Sequence, residues 1–273
     1  MSDRYVVIGN PVAHSKSPLI HAAFAKQTGE DVQYDRLLAP VDGFDSAVFE
    51  LIQSGAKGAN VTVPFKQDAW RLASRLSERA KLAEAVNTLS FAGGEIVGDN
   101  TDGVGLTRDI TANLGVPLAG RRILLLGAGG AARGVLLPLL SYHPAMLVVA
   151  NRTADKAMQL ARQFAAYGEV AASGYAELGE QAFDVVINAT SASLSDALPP
   201  VPASAFAAGS LAYDMMYGKG LTPFLQFAQA HGAARLADGL GMLVEQAAES
   251  FRIWRGVEPR TAALLSLLRE QLA

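Results

Sequence analysis

The chain has 273 residues, enough for two modest domains with cores of their own; half are hydrophobic and 18% are charged, a globular balance that excludes extended disorder. There is no cysteine, so disulfides and thiol chemistry are excluded, and four scattered histidines give no reason to expect a metal site. A net charge of -3, with acids and bases mixed along the chain, argues against a nucleic-acid partner.

Near the N-terminus, Tyr5 to Ile8 reads as a strand. Nothing before it looks like a signal peptide, and the longest apolar runs, such as Val135 to Leu140, are far below the roughly 20 residues of a membrane span. A cytoplasmic protein without membrane contact is expected. Ser17 reads as the cap of the first helix, Pro18 as its first-turn residue, Ile20, Ala23 and Phe24 as its buried stripe, and Gly29 as its stop. Strands follow at Tyr34 to Leu38, Ala59 to Val63 and Thr88 to Phe91. The connection Asn113 to Gly120 breaks the helical pattern and opens a second block, with strands at Ile123 to Leu126, Leu147 to Ala150, Val185 to Asn188 and Leu211 to Tyr213. Helical stretches separate these runs, and the alternation is that of an α/β protein with parallel sheets. Leu240 to Trp254 and Thr261 to Leu272 read as two closing amphipathic helices.

The strand at Ile123 to Leu126 runs into Gly127-Ala128-Gly129-Gly130-Ala131-Ala132, and a helix is expected from Arg133. Small residues in that context let backbone N–H groups and a helix dipole meet a pyrophosphate, as in a Rossmann-type dinucleotide site. About 20 residues on, an NAD enzyme presents an acid to the ribose 2′-hydroxyl. Here the strand ends in Asn151-Arg152-Thr153. Arg152 is a planar cation suited to a 2′-phosphate, and Thr153 is placed to cap the next helix and donate to the same group, so NADP(H) is the expected cofactor.

Asn60-Val-Thr62-Val-Pro-Phe-Lys66 is a strand ending in an amide, a hydroxyl, a proline turn and one lysine. Such a lysine can act as general acid or base at a carbonyl or alcohol, although by itself it also reads as a solvated surface charge. Asp99-Asn-Thr-Asp102-Gly103 is either an ordinary turn or a partner cluster in which Asp102 pairs with Lys66. Ser15 and Ser17 could hold a carboxylate at a helix start.

Together with Ala85-Val-Asn87-Thr88, Asn188-Ala-Thr-Ser191 and Asp238-Gly239-Leu-Gly-Met242, these motifs closely resemble shikimate dehydrogenases, in order and over nearly the whole chain. The resemblance implies an NADP-dependent oxidoreductase that reversibly reduces 3-dehydroshikimate to shikimate, a step of aromatic amino-acid biosynthesis. It implies Lys66 as the acid/base, Asp102 as its partner, and Ser15, Ser17, Thr62, Asn87, Tyr217 and Gln246 as substrate-holding residues. Gly127 to Ala131 would hold the pyrophosphate, Asn151 to Thr153 the 2′-phosphate, and Met215 and Gly239 the nicotinamide side. It further implies a discontinuous substrate domain, 1–103 with 240–273, around a dinucleotide domain, 104–239, in a monomer or homodimer. Ser191-Ala-Ser-Leu194 lacks a glycine common in relatives, which makes that loop's shape the expected departure. A quinate/shikimate enzyme of broader specificity and a non-catalytic shikimate-binding sensor are the competing readings.

Overall fold

The computed structural model describes residues 2–190 and 198–272; the loop at 191–194 therefore lies outside the described residues. In chain order the elements are β1 (Asp3–Gly9), α1 (Ser17–Thr28), β2 (Val32–Leu38), α2 (Phe44–Gln53), β3 (Gly58–Val61), α3 (Lys66–Leu72), β4 (Arg75–Leu76), α4 (Glu78–Ala83), β5 (Thr88–Ala92), β6 (Glu95–Asp99) and α5 (Asp102–Arg108). A π-helical turn at Asp109–Asn113 precedes β7 (Arg122–Leu126), α6 (Gly130–Leu140), β8 (Met146–Ala150), α7 (Ala154–Phe164), β9 (Ala171–Ser173), β10 (Phe183–Asn188) and β11 (Phe206–Asp214). Then come α8 (Pro223–Ala230), β12 (Arg235–Asp238), α9 (Leu240–Arg255) and α10 (Ala262–Glu270). The α/β architecture expected from the alternating pattern is present.

The chain divides into two compact units, one of residues 1–105 and 244–264, the other of 106–243 and 265 onward. The last helix is therefore not kept whole by the first unit. From Leu265 it groups with the second, where Arg269 Nη1 donates to Asp238 Oδ1 at 2.6 Å.

The first unit is built on a six-stranded sheet in the order β2-β1-β3-β5-β6-β4. β1 is parallel to β2 and β3, whereas β5 is antiparallel to both β3 and β6. Central β3 is buried along its whole length, which is why it reads as a nearly continuous run of small and apolar residues. One core packs Val6, Ile8, Val61, Phe65 and Leu89 with α2. The second unit carries an all-parallel sheet, β12-β11-β10-β7-β8-β9, whose strand order reverses between β7 and β10. In such sheets that reversal opens a crevice at the carboxyl ends of the strands.

Several local expectations are corrected. Lys16, not Ser17, caps α1; Ser17 lies in its first turn, and its N–H donates to Ser15 Oγ at 3.2 Å. The buried stripe of α1 takes in His21 and Ala25 while Ala23 is only half-buried. Gly29 does end the helix, at φ 74°. β3 stops at Val61 because the Thr62 carbonyl turns back to accept from Phe65 N, so Thr62 stands just past the strand. α6 starts at Gly130 rather than Arg133, and β4, β6, β9 and β12 had not been expected.

Candidate active site

In the first unit, β1 and β3 run side by side, and Asn10 N donates to the Val63 carbonyl just beyond their ends. The polarity switch at β5 brings the start of that strand to the same edge, with Asn60 opposite Thr88 and Thr88 opposite Asp99. One edge of the sheet thus receives the residues after β1, after β3, before β5 and after β6. These are the segments that carry Ser15, Thr62, Lys66, Asn87 and Asp102.

Lys66 opens α3, and its carbonyl accepts from Val86 N at 2.8 Å, which ties the lysine backbone beside Asn87. Phe65, fully buried and stacked on Phe44, anchors the turn. Lys66 Nζ donates to Asp102 Oδ2 at 2.6 Å, with the two side chains 32% and 18% exposed. The pair is open enough for a ligand to reach and enclosed enough to hold one geometry. Asp102 Oδ1 accepts from Asn87 Nδ2 at 2.8 Å, and that amide also donates to Thr101 Oγ1 and to Gln246 Oε1, at 2.9 and 3.2 Å. Asn87 Oδ1 accepts from Thr101 N at 2.9 Å, so this side chain is fixed at both ends. Lys66, Asp102, Asn87 and Gln246 form one connected group.

Ser15 and Ser17 make a hydroxyl pair at 3.1 Å, and the Ser15 carbonyl accepts from Arg36 Nη2 at 2.6 Å. Arg36 was not singled out from sequence; only its position on β2, beside β1, gives it this role. A buried layer lies behind the group. Asn60, 6% exposed, accepts from Tyr34 OH at 2.7 Å and donates to the Asn87 carbonyl, Thr88 Oγ1 and Ser250 Oγ at 3.1, 3.2 and 3.0 Å. Its side chain is spent on neighbours and serves as a brace. Burial pushes the Tyr34 phenol well above its ordinary pKa, with the Ser17 hydroxyl opposing, so it remains a donor. On the other side Arg79 donates to Asp99 and to Glu249, joining the end of β6 to α9. Tyr217 stands in the second unit, after β11, and burial, then the Asp238 charge, raise its pKa.

The second unit has a cavity of about 640 Å³ at the β7/β10 reversal, lined by Gly127 to Ala131, Asn151, Arg152, Thr153, Lys156, Tyr175, Thr190, Met215 and Met216. Gly127 turns the chain at φ 104°, and a Cβ there would crowd Thr190 and the Ala189 carbonyl. Side chains added at Gly129 or Gly130 would meet nothing within 4 Å, so open space faces the N-terminus of α6. Phosphates fit that space. Arg152 and Thr153 are exposed at the end of β8, the Thr153 hydroxyl makes no capping bond to α7, and Asn151 Nδ2 donates to the Thr153 carbonyl at 2.9 Å. Thr153 thus takes the expected cap position of α7, but without a side-chain capping bond. Lys156, in the first turn of α7, adds a cation that the sequence motifs do not point to. Gly239 lies against the Met215 backbone, where a Cβ would come within 2.1 Å of the Met215 carbonyl oxygen. The residues present fit NADP(H).

Family models match three stretches: the shikimate dehydrogenase substrate binding domain over residues 7–89, shikimate/quinate 5-dehydrogenase over 110–195, and the shikimate 5′-dehydrogenase C-terminal domain over 239–269. The shikimate dehydrogenase (NADP(+)) of Nitrosospira multiformis is 64% identical over 272 residues, covering 100% of this chain and 99% of its own. The chain belongs to the shikimate dehydrogenase family. Within that family's fold, an Ael1 enzyme from Pseudomonas putida is 52% identical with a TM-score of 0.93, over 100% of this chain and 98% of its own. Shikimate 5-dehydrogenase from Thermus thermophilus, solved in complex with NADP(H) and shikimate, is 32% identical with a TM-score of 0.86, over 98% and 99% of the two chains. The resemblance read from the motifs is borne out, and with it the assignment to NADP-dependent oxidoreductases.

Proposed function

We propose that the chain catalyses the reversible, NADPH-dependent reduction of 3-dehydroshikimate to shikimate, with Lys66 as acid/base. The observation that carries this reading is the 2.6 Å contact between Lys66 Nζ and Asp102 Oδ2, with Asn87 holding the other carboxylate oxygen. When bound, the cofactor supplies the hydride in reduction and accepts it in oxidation. Lys66 delivers a proton to the carbonyl oxygen as that oxygen becomes a hydroxyl, and takes one back in reverse. Asp102 aims the ammonium group and accepts from a ring hydroxyl. Ser15, Ser17 and Thr62 hold the substrate carboxylate, while Asn87, Gln246 and Tyr217 orient the ring.

On the cofactor side, Gly127 to Ala131 cradle the pyrophosphate, and Asn151, Arg152 and Thr153 take the 2′-phosphate, a cation standing where an NAD site has an acid. Met215 and Gly239 border the nicotinamide. All these residues come from one chain, so either a monomer or a homodimer can work. No described helix is long and apolar enough to cross a membrane, and a cytoplasmic location belongs to this reading. The test is the rate of NADP+ reduction with shikimate, measured against quinate and against NAD+. Turnover is expected with shikimate and NADP+. Equal turnover of quinate would favour the broader-specificity enzyme, and no turnover of either acid would overturn the assignment.

A further inference from the structure

The last residue of β11, Asp214, is fully buried, and neither the motifs nor the proposed chemistry uses it. Its Oδ1 accepts from Asn188 Nδ2 at 3.2 Å and from Met216 N at 3.1 Å, and its Oδ2 accepts from Thr222 Oγ1 at 2.6 Å. Each partner leads to a cavity wall or to the end of a loop. Asn188 closes β10, and its own Oδ1 accepts from Thr190 N and Oγ1, at 3.1 and 2.7 Å. Ala189 and Thr190 form one wall of the cofactor cavity; Met215 and Met216 form another. Thr222 caps α8, accepting from Leu225 N at 3.3 Å while donating to the carboxylate. The segment from Met215 to Leu221 is thereby held at both ends by one buried carboxylate.

We infer that Asp214, with Thr222, is the positioning residue of the nicotinamide half of the cofactor site, setting where Met215 and Tyr217 stand. The inference rests on the proposed NADP reading. A buried carboxylate that accepts from three donors on separate segments fixes those segments relative to one another, and loss of such a bond costs more than loss of an exposed one. The adenosine half, around Arg152 and Thr153, is built by other elements, β8 and α7. Disturbing Asp214 should therefore divide the two halves of the cofactor.

The experiment measures binding of NADP+ and of 2′,5′-ADP, which lacks the nicotinamide half, to full-length wild type, Asp214→Asn, Thr222→Val and Thr222→Ser. Asp214→Asn and Thr222→Val should each weaken NADP+ binding by about tenfold, as expected for one charge-assisted hydrogen bond, while 2′,5′-ADP binds as to wild type and Thr222→Ser is restored. The Thr222 pair decides the matter if Asp214→Asn does not fold. Equal loss for both ligands would mean general structural damage and would overturn the inference, as would unchanged NADP+ binding. A wild type that binds neither ligand would overturn the NADP reading itself, and this inference with it.

Discussion

The proposed proton-transfer group and the cofactor cavity are built on opposite plans. In the first unit, side chains hold side chains: Lys66 on Asp102, Asp102 on Asn87, Asn87 on Thr101 and Gln246. In the second, the work falls to backbone and empty space: open ground at Gly129 and Gly130, and Gly239 against a peptide carbonyl. Aiming one proton requires a fixed direction, which a chain of hydrogen bonds supplies. Holding a large anion requires several N–H groups and room, which glycine turns supply. The first plan should fail sharply at single side chains, the second by degrees.

The largest expected effect is on Lys66. Lys66→Ala should lower turnover by about 10²- to 10⁴-fold, the usual range for a lost acid/base, while NADP+ binding measured by fluorescence stays near wild type. Near-normal turnover would remove Lys66 from its role. Next comes a pH effect specific to the first unit. His21 is fully buried, stacked on Tyr34 at 4.2 Å, and burial lowers its pKa from 6.5 to about 3, with Asn60 opposing. The unfolded chain therefore binds this proton more readily. Stability is fully present above pH 6.5 and is lost as pH falls toward 3, by about 2 kcal/mol near pH 5. Glu249 adds to the loss only at lower pH: burial alone would raise its pKa, but Arg252 and Arg79 outweigh it and hold it at about 2 against an ordinary 4.5. Urea unfolding of His21→Phe should show a shallower decline between pH 6.5 and 5 than wild type; an identical slope would exclude His21 as the source.

A smaller change is expected at the cofactor phosphate. Arg152→Asp should shift the NADP+/NAD+ preference toward NAD+ by about tenfold, one charge-assisted contact, read as the ratio of kcat/KM values. An unmoved ratio would take the 2′-phosphate away from Arg152 and leave it to Lys156. The mildest is Tyr34→Phe, which strips Asn60 Oδ1 of its 2.7 Å donor. It should cost about 1 kcal/mol in thermal unfolding and lower kcat more than KM for shikimate, because the brace acts through Asn87. A KM change alone would place Asn60 at the substrate instead.

The two plans also differ in how far the sequence reveals them. The strand-glycine-helix of β7 and α6 is a local pattern, and it is legible down to Gly127 and Arg152. Lys66 and Asp102 were legible as motif members, yet their contact exists only because β5 reverses direction and brings Asn87 between them. The brace was not legible: Tyr34, Ser250 and Asn60 meet from β2, α9 and β3, and no local spacing connects them. Arg36 and Asp214 escaped for the same reason. β6 did leave a signal, the Gly93-Gly94 turn between paired Ala92 and Glu95. β4, β9 and β12 left almost none, with two, three and four residues respectively.

Among the described residues, three of the four sheet margins are thus formed by strands too short to present a long row of unpaired peptide groups. The fourth, β2, has seven residues, but Gln33, Asp35 and Arg36 stud it, and Arg36 bends back to the Ser15 carbonyl. A margin so cut and charged is a poor template for strand addition by another chain. The brevity that kept these strands from view in the sequence is also a guard against fibrous assembly.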